Sequence, residues 1–192
     1  MNFKLVILSL IFFLSHYVTA QTQTILEAPD TWRSELINFP LSFAPEIDLQ
    51  GFEDIRFSPG WSDSTSSQFW TYTFVWNIEM SKPFNQDQLT SIFNQYFDGL
   101  SQVVDPVDPN QPNPNRKKTE STFTKTDDGF TGKITMYDAF FSKKPITLHL
   151  KVEELRCDTL EKSVIRFDLS PKPFQHEVWD VFQEVKISME CI

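Results

Sequence analysis

Glycine is scarce in this chain, with five residues among 192. That is too few and too scattered to build a loop that cradles phosphate on backbone N–H groups. Histidine is scarcer, with three. His16 lies among the first 20 residues, in the polar stretch after an apolar run, which leaves His149 and His176 far apart in sequence. There is no HExxH and no histidine pair at i and i+4, so nothing in the spacing gathers zinc ligands. There is no G-x-S-x-G nucleophile elbow. A triad drawn from distant segments leaves no mark in sequence, because geometry and not order defines it. Paired carboxylates are uninformative when 26 acids are present. The expectation is therefore no catalytic residue, no cofactor and no metal. Cations are also in deficit: 17 Lys and Arg against 26 Asp and Glu give a net charge of −9. Such a chain is repelled by phosphate backbones, so nucleic acid is excluded as a partner.

Beyond residue 20 no apolar run approaches the roughly 20 residues a membrane helix needs. What stands before it reads as a cleaved export signal. Lys4 supplies the positive start, Leu5 to Leu14 the short apolar stretch, and Val18 and Ala20 the small side chains before the cut. The mature protein is expected to begin at Gln21, to lose one cation with Lys4, and to form a single domain over residues 21–192, secreted or periplasmic. Two cysteines, Cys157 and Cys191, fall in that part. An even number in an oxidising compartment predicts one disulfide, and closing a loop of about 35 residues stabilises a fold by roughly 3–4 kcal/mol. Two separately buried thiols are the alternative reading.

Periodicity places the elements. Residues 21–31 show none and read as a flexible leader. Short strands are expected from Trp32 to Leu41 and from Phe52 to Ser58, the latter with Ile55 and Phe57 on one face and Asp54 and Arg56 on the other. Ser62 to Ser67 is a polar loop. Phe69 to Ile78 is the clearest strand, with Trp70, Tyr72, Phe74, Trp76 and Ile78 at period two. Asn85 to Val103 is the clearest helix, opened by a capping box of Asn85 and Gln88 and striped by Leu89, Phe93, Tyr96, Phe97 and Leu100. A proline-rich loop through Pro114 ends it. Asp105, Asp108 and Asn110 in that loop hint at calcium but lack the ligand alternation of calcium loops. Four further strands follow, Thr119–Thr126, Phe130–Phe140, Pro145–Leu155 and Ser163–Leu169, the first two joined through Asp127-Asp128-Gly129. A helix over Gln175–Val185 closes the pattern. Strands on either side of one long helix, without βαβ alternation, predict an α+β fold with an antiparallel sheet of about seven strands.

Aromatic residues are what the chain has in excess, at 15%. The Trp70–Tyr72–Phe74–Trp76 stripe reads as core. Trp61 stands outside any periodic pattern beside a polar loop, and is the residue expected on an exposed ligand or partner surface, with Arg56 and Asp54 beside it. Several stretches carry a resemblance: Thr31-Trp32-Arg33 with Phe43-Ala44-Pro45, the run Gly51 to Gly60, Asp168-Leu169-Ser170-Pro171, and His176-Glu177-Val178-Trp179 with Cys191. Together they resemble a family of exported bacterial proteins to which no activity is assigned. The resemblance implies a bacterial, exported, single-domain protein and carries over no functional residue. Three functions stay open: a non-enzymatic domain that binds a protein or small-molecule ligand near Trp61, a small extracytoplasmic hydrolase with dispersed catalytic groups, and an accessory protein of the cell envelope.

Overall fold

A computed structural model describes residues 24–80, 82–108, 113–114, 116–157 and 162–188. The expected export signal at residues 1–20 lies outside them, as does Cys191, and with it the expected bridge to Cys157. No helix among the described residues is long and apolar enough to cross a membrane.

The fold is α+β. After a two-residue strand β1 (Leu26–Glu27) come β2 (Arg33–Asn38), β3 (Gly51–Phe57), β4 (Tyr72–Glu79) and helix α1 (Gln86–Val104). Strands β5 (Glu120–Thr126), β6 (Gly129–Tyr137), β7 (Pro145–Cys157) and β8 (Lys162–Ser170) follow. A 3₁₀ helix at Glu177–Glu184 and β9 (Lys186–Ile187) complete it. Seven strands form one antiparallel sheet in the order β2-β3-β4-β8-β7-β6-β5, while β1 pairs with β9 in a separate ladder. Consecutive strands neighbour one another except where β8 inserts beside β4, so the helical connection between β4 and β5 spans the sheet.

Directly opposed residues share a face. Ile55, Phe74, Phe167 and Val152 lie in one such row, and Trp76 beside Ile165 in the next. This near face is buried under α1, whose Leu89, Phe93, Tyr96 and Phe97 meet it. The capping box forms as expected: Gln88 N–H donates to Asn85 Oδ1 at 2.9 Å and Asn85 N–H to Gln88 Oε1 at 3.0 Å. The helix also runs along the open edge of β5. Thr119 N–H donates to Asp98 at 2.7 Å and Ser121 N–H to Asn94 at 2.9 Å, which satisfies edge donors that would otherwise template another strand. Gly99 allows the helix to touch the 41–44 segment, since a Cβ there would lie 1.9 Å from the Phe43 carbonyl oxygen.

The far face carries Val75, Val164, Thr73, Asp54, Arg56, Arg166 and Asp168, covered in part by β1, β9 and the 3₁₀ helix. The flexible leader expected over residues 21–31 is overturned for its described part. Asp54 Oδ2 accepts from Ile25 N–H at 2.8 Å, Leu26 N–H at 2.9 Å and Thr24 Oγ1 at 2.6 Å, while Arg56 donates to Thr24 Oγ1 at 2.5 Å and to the Leu26 carbonyl. Ile25 and Leu26 thus enter a second apolar cluster with Trp32, Val178, Trp179 and Phe182. Two apolar residues are too few to register as periodicity, and only the docking partners reveal their role. Arg166 does the same for the other end, donating to the Phe182 and Val185 carbonyls at 2.8 and 2.9 Å where the 3₁₀ helix ends.

Two substitutions test this construction. Removing the carboxylate with Asp54→Ala strands the buried Arg56 guanidinium, and a loss of about 3–5 kcal/mol is expected in chemical denaturation. Gly99→Ala forces a backbone shift at Phe43, and the same measurement is expected to give a loss of about 1–3 kcal/mol.

Candidate functional site

The helix is bonded to the β5 side of the sheet, and at the β2 side a gap remains. It is a cavity of about 530 Å³, inside the roughly 300–1,000 Å³ range of small-molecule sites. Ile37 of β2, Ile55 and Phe57 of β3 and Tyr72 of β4 form its floor, and Tyr96, Leu100 and Val104 of α1 its roof. Phe43, Trp61, Trp70 and Phe140 close the remaining sides. Exposed Arg33, Glu35 and Ser42 stand at its rim.

Trp61 is therefore at the site, but not as expected. It is only 8% exposed and belongs to the core, so the exposed recognition residue is corrected to a buried cavity wall. The reason is the 58–71 segment, which folds back on itself. Trp61 N–H donates to the Ser58 carbonyl, Gly60 N–H to Gln68 Oε1 and Trp70 N–H to the Trp61 carbonyl, at 3.0–3.1 Å. That turn lays the indole on Phe57 at 4.4 Å between centroids and edge-on to Phe141 at 5.0 Å. The polar residues 62–67 stay outside. Asp54 and Arg56, expected beside Trp61, lie on the opposite face of the sheet, are buried, and hold the N-terminal segment. They form no part of this cavity.

Two features of the wall carry unusual cost. Trp70 adopts a left-handed backbone, φ 55°, which for a bulky residue costs on the order of 1–3 kcal/mol. The indole N–H groups of Trp61 and Trp70 are both buried without a hydrogen-bond acceptor. An unsatisfied buried donor costs about 1–3 kcal/mol. Phe140 and Phe141 are supported from outside the wall by Asp138. This fully buried carboxylate accepts from the N–H groups of Phe140, Phe141 and Ser142 at 3.0, 3.0 and 2.7 Å. Its role was invisible in the sequence, where Asp138 sits inside an expected strand. An aspartate two residues before a Phe-Phe pair was the available sign.

Glu53 joins the cavity through Tyr96 of its roof. Its carboxylate accepts from Trp76 Nε1 at 2.6 Å and from Tyr96 Oη at 2.8 Å, and it is wholly buried. Burial pushes its pKa up to about 7 against the lowering effect of those two hydrogen bonds, with the nearby charge of Glu35 adding to the rise. The phenol of Tyr96 is pushed well above its usual range, chiefly by burial and then by Glu53.

The histidines are elsewhere. His149 is on the far face, edge-on to Phe174 at 5.5 Å, and burial with the charge of Lys133 lowers its pKa. His176 caps the 3₁₀ helix, its Nδ1 accepting from Val178 N–H at 3.0 Å. Among the described residues neither hydrogen-bonds a carboxylate or hydroxyl, as a hydrolytic base requires. Asp105, one of the loop acids, accepts from Tyr137 Oη at 2.9 Å and faces Lys143 at 3.5 Å, while Asn110 lies outside the described residues. No group of three metal-ligating side chains occurs among the described residues.

Glu53 gives a pH signature. Its folded pKa lies above its ordinary 4.5, so the folded state holds the proton more tightly and its carboxylate opposes folding once ionised. That cost is absent below about pH 4.5, grows through the interval and is complete above about pH 7. The stability of the wild type relative to Glu53→Gln is expected to fall by about 3 kcal/mol across that interval in denaturant titrations. A flat difference would remove the assignment.

Compared with known proteins, the chain matches no family model, no curated protein and no solved structure, so the cavity stands on its own geometry.

Proposed function

We propose that this protein is a non-enzymatic binding domain that takes a small apolar molecule into the cavity between α1 and the β2 edge. The observation that carries the reading is the wall itself: a space of about 530 Å³ bounded by aromatic and aliphatic side chains, with Arg33, Glu35 and Ser42 at the rim. Apolar lining with a few convergent polar groups is the usual constitution of a ligand site. A site that only stabilised the fold would be filled, because unfilled space forfeits dispersion contacts on every side. The separation of both histidines from acids and hydroxyls favours binding over hydrolysis.

The proposal includes export. Lys4, the apolar run Leu5–Leu14 and the small residues Val18 and Ala20 support secretion or delivery to the periplasm, with the Cys157–Cys191 bridge formed there. In such a compartment a carrier or sensor of sparingly soluble molecules has a use that an acidic, phosphate-repelling surface does not hinder.

N-phenyl-1-naphthylamine, a neutral probe whose fluorescence rises in apolar surroundings, reports on the cavity. Titration into the purified protein is expected to give a saturable signal. Leu100→Trp replaces a branched aliphatic side chain in the roof by a bulkier indole and is expected to weaken binding at least about tenfold, or about 1.4 kcal/mol. Circular dichroism of the variant checks that it remains folded. No saturable signal, or an unaltered one in Leu100→Trp, overturns the reading.

A further inference from the structure

We infer that the occupant of the cavity is an apolar monocarboxylate, its carboxylate held by Arg33 at the rim and its body against Trp61 and Trp70. This deepens the binding proposal and rests on it.

Four arginines have described side chains, and three of them are engaged by hydrogen bonds. Arg56 is bound to Asp54, Thr24 and two carbonyls; Arg166 to Asp168 and two carbonyls; Arg116 to the Asp105 carbonyl, Ser101 and Gln102. Arg33 differs. Among the described residues its guanidinium makes no hydrogen bond and meets no carboxylate within 4.0 Å. Yet it is not adrift. It lies over the rings of Phe57 and Trp61, 5.0 and 5.2 Å from their centroids, and both rings line the cavity. Stacking of this kind fixes the plane of the guanidinium and leaves its N–H edge free. A planar fork held at the mouth of an apolar pocket suits bidentate recognition of a carboxylate.

The unpaired indole N–H groups of Trp61 and Trp70 are closed off from the cavity space, so the sign of the head group is set at the rim by Arg33. Glu35 sets the limit. It shares the cavity rim with Arg33, two residues along β2. Its negative charge disfavours a second charge on the same head, which separates a carboxylate from a doubly ionised phosphate monoester.

Displacement of N-phenyl-1-naphthylamine by decanoate, 1-decanol, decylammonium and decyl phosphate tests this. Decanoate is expected to compete at least about tenfold better than any of the other three. Arg33→Gln, an exposed position on an edge strand, is expected to bring the decanoate-to-decanol ratio down to about one. Equal competition by decanol, a preference for decylammonium, or a decanoate preference that survives Arg33→Gln overturns the carboxylate. Decyl phosphate competing as well as decanoate overturns the single charge. If the neutral probe and decanol bind while decanoate gains nothing, this inference fails and the apolar site stands; if the probe itself does not bind, both fall.

Discussion

The position of the helix depends on one buried carboxylate. Glu53 accepts a hydrogen bond from Trp76 in the centre of the sheet and another from Tyr96 in the helix, and it is wholly buried. Taking a carboxylate out of solvent is unfavourable, and the two donors offset that only in part, as the rise of its pKa to about 7 records. What the arrangement secures is register. The middle of α1 is tied to the sheet by Tyr96, and its flank is tied to β5 through Asn94 and Asp98. Held at both places, the helix cannot settle onto β2 to close the remaining gap. The cavity is thus a consequence of where polar groups had to be satisfied, and its aromatic walls follow from the stripes that flank it.

The other side of the sheet solves a different problem with similar chemistry. A seven-stranded sheet with Val75 and Val164 on its far face needs cover there, and segments near the two ends of the described residues supply it. Asp54 with Arg56 holds one end and Arg166 with Asp168 holds the other. Arg56 reaches the Leu26 carbonyl of the segment it retains, and Arg166 the Phe182 and Val185 carbonyls of the other. Buried ion pairs are weak contributors to stability when weighed against apolar replacements, so their role here is to say which segment docks and where.

Much of this architecture was legible because period-two and period-3.6 patterns are strong in the segments that form it. Trp70 through Ile78 and Leu89 through Leu100 each announced a buried stripe, and all seven sheet strands and the helix follow within a few residues. Legibility failed where local pattern is silent. Ile25 and Leu26 are two residues long and acquire their place only from Asp54, some thirty positions away. Trp61 stands outside every periodic pattern, yet its burial follows from the Gly60–Gln68 hydrogen bond that closes its loop and from Phe141 against its ring, and no periodicity encodes a turn of that kind. Asp54 and Arg56 were read on the right face and given the wrong task, since a charged face of a strand usually meets solvent. The cavity itself has no sequence signal. It is an absence of packing at one edge, and a chain records which side chains are apolar but not which of them remain unmet.

The pairing of Leu26 with Ile187 has a practical corollary. It brings both ends of the described chain together on the side of the sheet turned away from Trp61. A linker or dye attached at either end of the described residues therefore starts on the face of the sheet opposite α1 and the cavity.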